Sequence, residues 1–307
     1  MTPAGNRTAY ILLLFPVVFW GGSFVATKIL VDQMPVSSIV AWRIILGVIP
    51  MALTAQFTRG WPRKLAAADL HAILPASLVL LVHWTVQFTG IQWTTATNSG
   101  WIVAAAPLSI SFFAGLFLRE RITGIQMAGM AVATGGLVLL VSHGALGNLD
   151  WLSNRGDWFV LASIVLWGVY TALARDVSRR HPPIGVTAII LALCGTPPAV
   201  YMIATGRAGV LLRLTGEGYA ALLFLAIGST FLALWFWQEG VARLGAARAG
   251  YFLYLLPLAT TAIAVPYLGD PFGGWTAIGG ALVLAGVIIA ERKRKDRGRG
   301  QDTKSES

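Results

Sequence analysis

The chain is poor in charge, in acid and in cysteine. Only 12% of its 307 residues are charged, about half the share of a soluble domain. Acidic residues number 13. One cysteine, Cys194, sits inside an apolar run, which excludes a disulfide framework and a cysteine metal cluster. Four histidines are scattered along the chain. A membrane-embedded enzyme needs ligands or acid–base partners gathered near one interface, and that pattern is missing. So is any Gly-x-x-x-x-Gly-Lys-Ser/Thr loop, which excludes ATP as the driver from this chain. No metal and no cofactor is expected. No sizeable polar module is present to carry a signal, which weighs against a receptor or scaffold.

What is there is apolar. Hydrophobic residues make up 56% of the chain, with 34 Gly, 12 Trp and a mean hydropathy of +0.70. This composition points to lipid as the solvent. The net charge of +10 does not point to nucleic acid. Its cations fall in short loops between apolar runs and in the last residues, which is the pattern of membrane orientation.

A membrane span needs roughly 20 mostly apolar residues. Ten are read here: 9–30, 36–57, 69–91, 96–118, 123–142, 157–177, 184–204, 217–239, 246–268 and 273–290. The first is too long for a signal-peptide core, and no small-residue cleavage site closes it. Uniform apolar runs of this length are helices, since irregular backbone cannot face lipid. The expected fold class is therefore an all-α integral membrane protein of ten transmembrane helices. With the N-terminus inside, 18 Lys and Arg fall on the cytoplasmic side and 4 outside. Both termini are therefore expected in the cytoplasm, as in a multi-pass protein of the inner (plasma) membrane.

The chain also repeats itself. Trp20 and Gly21 recur as Trp167 and Gly168, 147 residues on, each followed by a cation, Lys28 and Arg175. At an offset of 150, Gly90, Gly100, Pro107, Gly124, Gly129 and Gly136 meet Gly240, Gly250, Pro257, Gly274, Gly279 and Gly286. Two five-helix repeats follow, 1–145 and 146–291, with a basic tail at 292–307 expected to be disordered. Five is odd, so the copies enter the membrane from opposite sides. Such inverted repeats are common in transporters that bind substrate near the midplane between the halves.

Particular stretches carry a resemblance. "FWGGSFVATK", "AWRIILGVIP" and "NSGWIVAAAPLSISFFAGLFLRERITGIQMAGMAVATGGLVLL" are similar to the EamA repeat of the drug/metabolite transporter superfamily. Asn98 to Gly100, Pro107, Glu120 and the Gly-rich run 124–136 carry its pattern, and Asp270 departs from it where the family usually has Glu. The resemblance implies an exporter of amino acids, other metabolites or drugs, with the aromatic amino acid exporters as the nearest branch. Drug or nucleoside-type export is the alternative.

The candidate site follows from polar and aromatic residues deep in the spans. Trp20, Trp84, Trp101, Trp167, Trp235 and Trp237 are deep indoles that either line a cavity or only pack. His83 and Gln87 are four apart on one helix face, beside Trp84. Polar groups at that depth usually face a bundle interior. His83 either carries a proton or is satisfied by a nearby carbonyl. Asn98 and Trp101 begin the fourth span and are expected to approach the same cavity. Tyr170 lies one turn from Trp167. Tyr251 and Tyr254 share a face of the ninth span. An apolar wall with a few polar points suits an amphipathic small solute. Three charges are candidates for coupling or gating. Lys28, with Asp32 as its partner, is a possible outer gate. Arg43 either snorkels or pairs with Asp32, or meets a substrate carboxylate. Glu239 either pairs with Arg243 or serves as a coupling carboxylate. The fourth and fifth spans of each half carry small residues, Ala131 and Gly135 matching Ala281 and Ala285. They are expected to form the interface between the halves, or else a dimer contact, so monomer and homodimer both stand.

Overall fold

The computed structural model describes residues 3–118, 124–145, 154–245 and 249–302. They form helices and turns, and no strand occurs among the described residues. Six helices are long and apolar enough to cross a membrane: Tyr10–Val31, Val36–Phe57, Ala67–Trp93, Arg155–Arg180, Pro183–Ala204 and Gly216–Leu244. Large apolar side chains such as Leu78, Val200 and Ile203 stand on the outside of the bundle. A soluble monomer would not spread so much apolar surface to water.

In chain order the helices are α1 Pro3–Val31, α2 Val36–Phe57, α3 Ala67–Trp93, α4 Ala96–Val103, α5 Ala106–Leu118 and α6 Gly124–Val141. The chain continues with α7 Arg155–Arg180, α8 Pro183–Ala204, α9 Gly216–Leu223, α10 Ala233–Leu244, α11 Leu256–Leu268 and α12 Gly274–Asp302. Between α9 and α10 the helix does not stop but widens to π geometry over Phe224–Leu232. A π turn of this kind inside a helix often marks a functional site.

Two of the spans read as continuous are broken. The first, 96–118, divides at Ala104 and Ala105 into α4 and α5. The other, 246–268, passes through a 3-10 turn, Tyr251–Leu255, before α11. In both, the new helix has proline as its second residue, Pro107 in α5 and Pro257 in α11. Proline lacks an N–H and fits the first helical turn, where that donor has no partner anyway. The basic segment also differs from expectation, because α12 runs on to Asp302. Glu291 to Lys295 are all Glu, Lys or Arg, which are good helix formers.

One end of the bundle gathers the C-termini of α1, α3 and α11 with the starts of α4, α7 and α9. Lys28 Nζ donates to the carbonyls of Ile91, Gln92 and Thr94 at 2.9–3.3 Å. The Thr215 N–H and hydroxyl both donate to Gln33 Oε1, and the Thr97 N–H donates to Asp270. At the opposite end Asp69, in the first turn of α3, accepts from the Ala66 N–H, Arg180 Nη2 and His181 Nε2 at 2.9, 2.7 and 3.0 Å. These are called the Lys28 end and the Asp69 end.

The helix pairs in most extensive contact are α6 with α12, α3 with α7, α2 with α8, α5 with α7, and α1 with both α10 and α11. A Cβ on Gly136 would lie 2.7 Å from the Gly279 carbonyl oxygen, and one on Gly279 would lie 2.8 Å from that of Gly136. Gly286 likewise meets Gly129 and Ala133. Small residues thus let α6 and α12 approach backbone to backbone. The stripe is not the expected one: Ala131, Gly135, Ala281 and Ala285 are exposed, and a Cβ on Gly135 would meet no atom within 4 Å. Both runs offer small residues at several helical spacings, and the face actually buried is Gly129, Ala133 and Gly136.

Candidate transport cavity

The bundle holds a small cavity of about 50 Å³, midway along α1, α3 and α7. Trp20, Arg43, His83, Trp84, Gln87 and Trp167 are among its lining residues. The Trp20 and Trp167 rings meet edge to face at 5.2 Å. Trp237 joins them at 5.4 and 5.9 Å, and Tyr170 packs on Trp167 at 5.2 Å. Edge-to-face and offset pairs are the arrangements aromatic rings favour. Trp237 and Tyr170 are fully buried and close the cavity toward the Asp69 end. Gln238 Nε2 donates to the Tyr170 hydroxyl at 2.8 Å, locking that floor.

The polar points sit on the other walls. His83 Nδ1 lies 2.8 Å from the Ser163 carbonyl oxygen. A carbonyl only accepts, so Nδ1 carries the proton and Nε2 of a neutral ring is an acceptor. The His83 ring also packs on Trp167 at 5.3 Å. Gln87 Nε2 reaches the Ser163 hydroxyl at 3.4 Å, a long contact that leaves its amide lightly held.

Arg43 neither snorkels nor pairs with Asp32. It lies seven residues into α2, about 10 Å below that helix's N-terminal end, and is 2% exposed. Its Nε donates to Thr230 Oγ1 at 2.8 Å and its Nη2 to Ser229 Oγ at 3.2 Å. The guanidinium packs on the rings of Trp84 and Phe88, 4.2 and 5.0 Å from their centroids. A cation on a desolvated ring gains about 2 kcal/mol, comparable with the roughly 2.5–3.5 kcal/mol that insertion of an arginine at membrane depth costs. The π segment sets up the hydroxyl pair: Thr230 Oγ1 donates five residues back to the Leu225 carbonyl, and the Ser229 carbonyl accepts from Trp20 Nε1 at 3.0 Å. These two hydroxyls are functional candidates that the sequence reading passed over, although adjacent Ser and Thr deep in a span were a visible sign.

Other candidates are placed elsewhere. Asn98 and Trp101 do not line the central cavity. Asn98 Nδ2 donates to Asp157 at 2.7 Å, in a buried knot with Thr94 and Asn154. Trp101 turns toward α11 and α12, where Nε1 donates to Thr261 Oγ1 at 3.1 Å and the ring covers Gly280. Tyr254 packs against the core, away from the cavity lining; the side chain of Tyr251, like Glu120, lies outside the described residues. Glu239 pairs with Arg243 at 2.9 Å. Lys28 caps α3, as above, instead of meeting Asp32, which is exposed. Three carbonyls at a helix C-terminus are a natural seat for a cation. Lys28, Asn98 and Asn154 line a second, larger cavity of about 360 Å³ at the Lys28 end, part of it open to solvent.

Apolar helices around a mid-span aromatic cavity, with a wider polar cavity at one end, are the build of a membrane transport protein. Known proteins narrow that class. The sequence model of the EamA-like transporter family matches residues 7–142 and again 154–291. The chain belongs to that family; it is a multi-pass membrane transporter and not an enzyme. It is 25% identical over 283 residues to an uncharacterized transporter of Bacillus subtilis (strain 168), covering 92% of each chain. It is 28% identical over 305 residues to a probable terminal-alkyne amino-acid exporter of Streptantibioticus cattleyicolor, covering 95% of this chain and 96% of that one. A solved crystal structure at 22% identity shares the fold, with a TM-score of 0.63 over 93% of this chain and 97% of the other.

Proposed function

We propose that the chain is a secondary exporter of small amphipathic metabolites in the inner (plasma) membrane, with amino acids, apolar and aromatic ones included, as its first substrates. It works by alternating access between two inverted five-helix repeats, 1–145 and 146–291. The Lys28 end faces outward and the Asp69 end faces the cytoplasm, together with both termini. The observation that carries this reading is the meeting of Trp20 with its repeat counterpart Trp167 in the wall of the central cavity.

Reciprocal contacts support the inverted repeat. Gly136 meets Gly279 while Gly129 meets Gly286, so each glycine touches the counterpart of its partner's equivalent. Gly90 packs on Val160, and their counterparts Gly240 and Leu13 pack on each other. A two-fold axis between the halves produces such exchanged pairs. The double match to one family model and the amino-acid exporter among the relatives support the rest. The outer cavity is open and the aromatic floor is shut, an arrangement that fits an outward-facing state.

The test is counterflow. Purified protein in proteoliposomes, loaded with unlabelled amino acid, is expected to accumulate labelled leucine, phenylalanine or tryptophan without ATP. Failure to move any member of a panel of amino acids, nucleosides and cationic drugs, with or without a pH gradient, would sink the exporter reading.

A further inference from the structure

Arg43 is a deeply buried cation that no acid among the described residues neutralises. The ion pairs among those residues are Asp69 with Arg180 and His181, and Glu239 with Arg243. All lie near helix ends, away from the central cavity. A guanidinium has five N–H donors. Two of Arg43's are taken, by the hydroxyls of Thr230 and Ser229. The remaining three have no acceptor among the described residues, on a side chain that lines the cavity. Its ring-stacked face is covered by Trp84 and Phe88, so a ligand approaches in the guanidinium plane. A planar, anionic, two-oxygen group fits that approach, because arginine binds carboxylates through parallel N–H bonds.

We propose that Arg43 is the receptor for a substrate carboxylate, which makes this cavity selective for amino acids and related small carboxylates over their amides, esters and decarboxylated amines. The proposal rests on the exporter reading of the central cavity and decides between amino acids and the cationic or neutral alternatives. The surroundings complete a zwitterion site. His83 Nε2 and the Gln87 amide oxygen are acceptors on the first half's α3 and suit an ammonium group. Trp20 and Trp167 offer their rings to the side chain. The repeat gives no second copy of the anion receptor, since Arg43 corresponds to Ile190, 147 residues on. A single receptor fixes a single orientation of the substrate. It also spans the seam: the cation comes from α2 and its two supporting hydroxyls from the π segment of the other half.

The test uses the full chain in proteoliposomes. Counterflow of the best labelled amino acid is challenged with the same amino acid unlabelled, its amide, its methyl ester and its decarboxylated amine. The acid is expected to compete about tenfold or more better than the three derivatives, the size of effect a charged hydrogen-bond pair supplies. Arg43→Gln is expected to raise the half-saturating concentration by about the same factor and to erase the preference for the acid over the amide. Arg43→Lys restores part of the preference, as a point charge without the fork. Thermal unfolding in detergent checks that the variants fold. If Arg43→Gln does not fold, the competition series on the native protein decides. An amide that competes as well as the acid overturns the carboxylate receptor while leaving the exporter intact. A native protein that moves nothing overturns the exporter reading instead.

Discussion

The stretch His83–Phe88 of α3 aligns with the stretch Ala233–Gln238 of α10 at the 150-residue offset of the sequence. Their chemistry is opposite. In α3 the positions read His83, Trp84 and Gln87, and all three line the cavity. In α10 the same positions read Ala233, Leu234 and Trp237, and Trp237 is wholly buried among aromatic rings. One helix brings hydrogen-bonding groups to the cavity; its counterpart brings Leu234 to the lining and a buried indole behind it. On the proposed inverted repeat, one scaffold written twice thereby acquires a polar wall and an apolar floor. Alternating access needs the two halves to exchange shapes, but it does not need them to exchange chemistry.

This contrast can be broken from either side. The largest effect is expected at the apolar floor. Trp237→Ala removes a fully buried indole that contacts both Trp20 and Trp167, and should cost about 3–5 kcal/mol, read as a fall in the thermal unfolding midpoint in detergent. A variant as stable as the native protein would show that the floor is loosely packed. Next comes the polar wall. Gln87→Leu keeps volume and loses only a long 3.4 Å contact, so stability should move by no more than about 0.5 kcal/mol. Its half-saturating concentration for amino acid should rise about tenfold, the cost of one lost polar contact to a charged group. If stability falls and transport does not, Gln87 belongs to the packing and the contrast dissolves. The smallest effect is expected at Glu239→Gln. It breaks a partly exposed pair four residues apart on one helix, worth about 0.3–0.5 kcal/mol, with transport unchanged at every imposed pH gradient. Loss of gradient-driven transport in that variant would return Glu239 to the role of coupling carboxylate.

A span with no charged residue, such as α8, was legible in the sequence because lipid tolerates little else. The repeated Trp-Gly pair singled out Trp20 and Trp167 in the sequence, and the two rings meet at 5.2 Å. Partners that depend on tertiary packing were not legible. Arg43 finds Ser229 and Thr230 across 186 and 187 residues, and nothing local to α2 announces them. Lys28 has an acid one turn away in the sequence, yet it turns to carbonyls of another helix. Helix phase was the other blind spot. Small residues along α6 and α12 support more than one packing face, and only the fit of Gly136 against Gly279 selects among them. Asn98 and Trp101 follow the same rule: Asn98 turns to Asp157 of α7, and Trp101 to Thr261 of α11 and Gly280 of α12.

The π segment Phe224–Leu232 has one further consequence. An α-helix advances its residues by about 100° each, and a wider turn advances them by less. The segment therefore works as a phase shifter, placing Ser229 and Thr230 at Arg43 while Trp237, eight residues after Ser229, still faces the tryptophan cluster. Chain length here is as informative as side-chain identity. Removing one residue from this stretch would restore ordinary helix bonding and leave every apolar position apolar, yet it would swing either the hydroxyl pair away from Arg43 or Trp237 away from the tryptophan cluster.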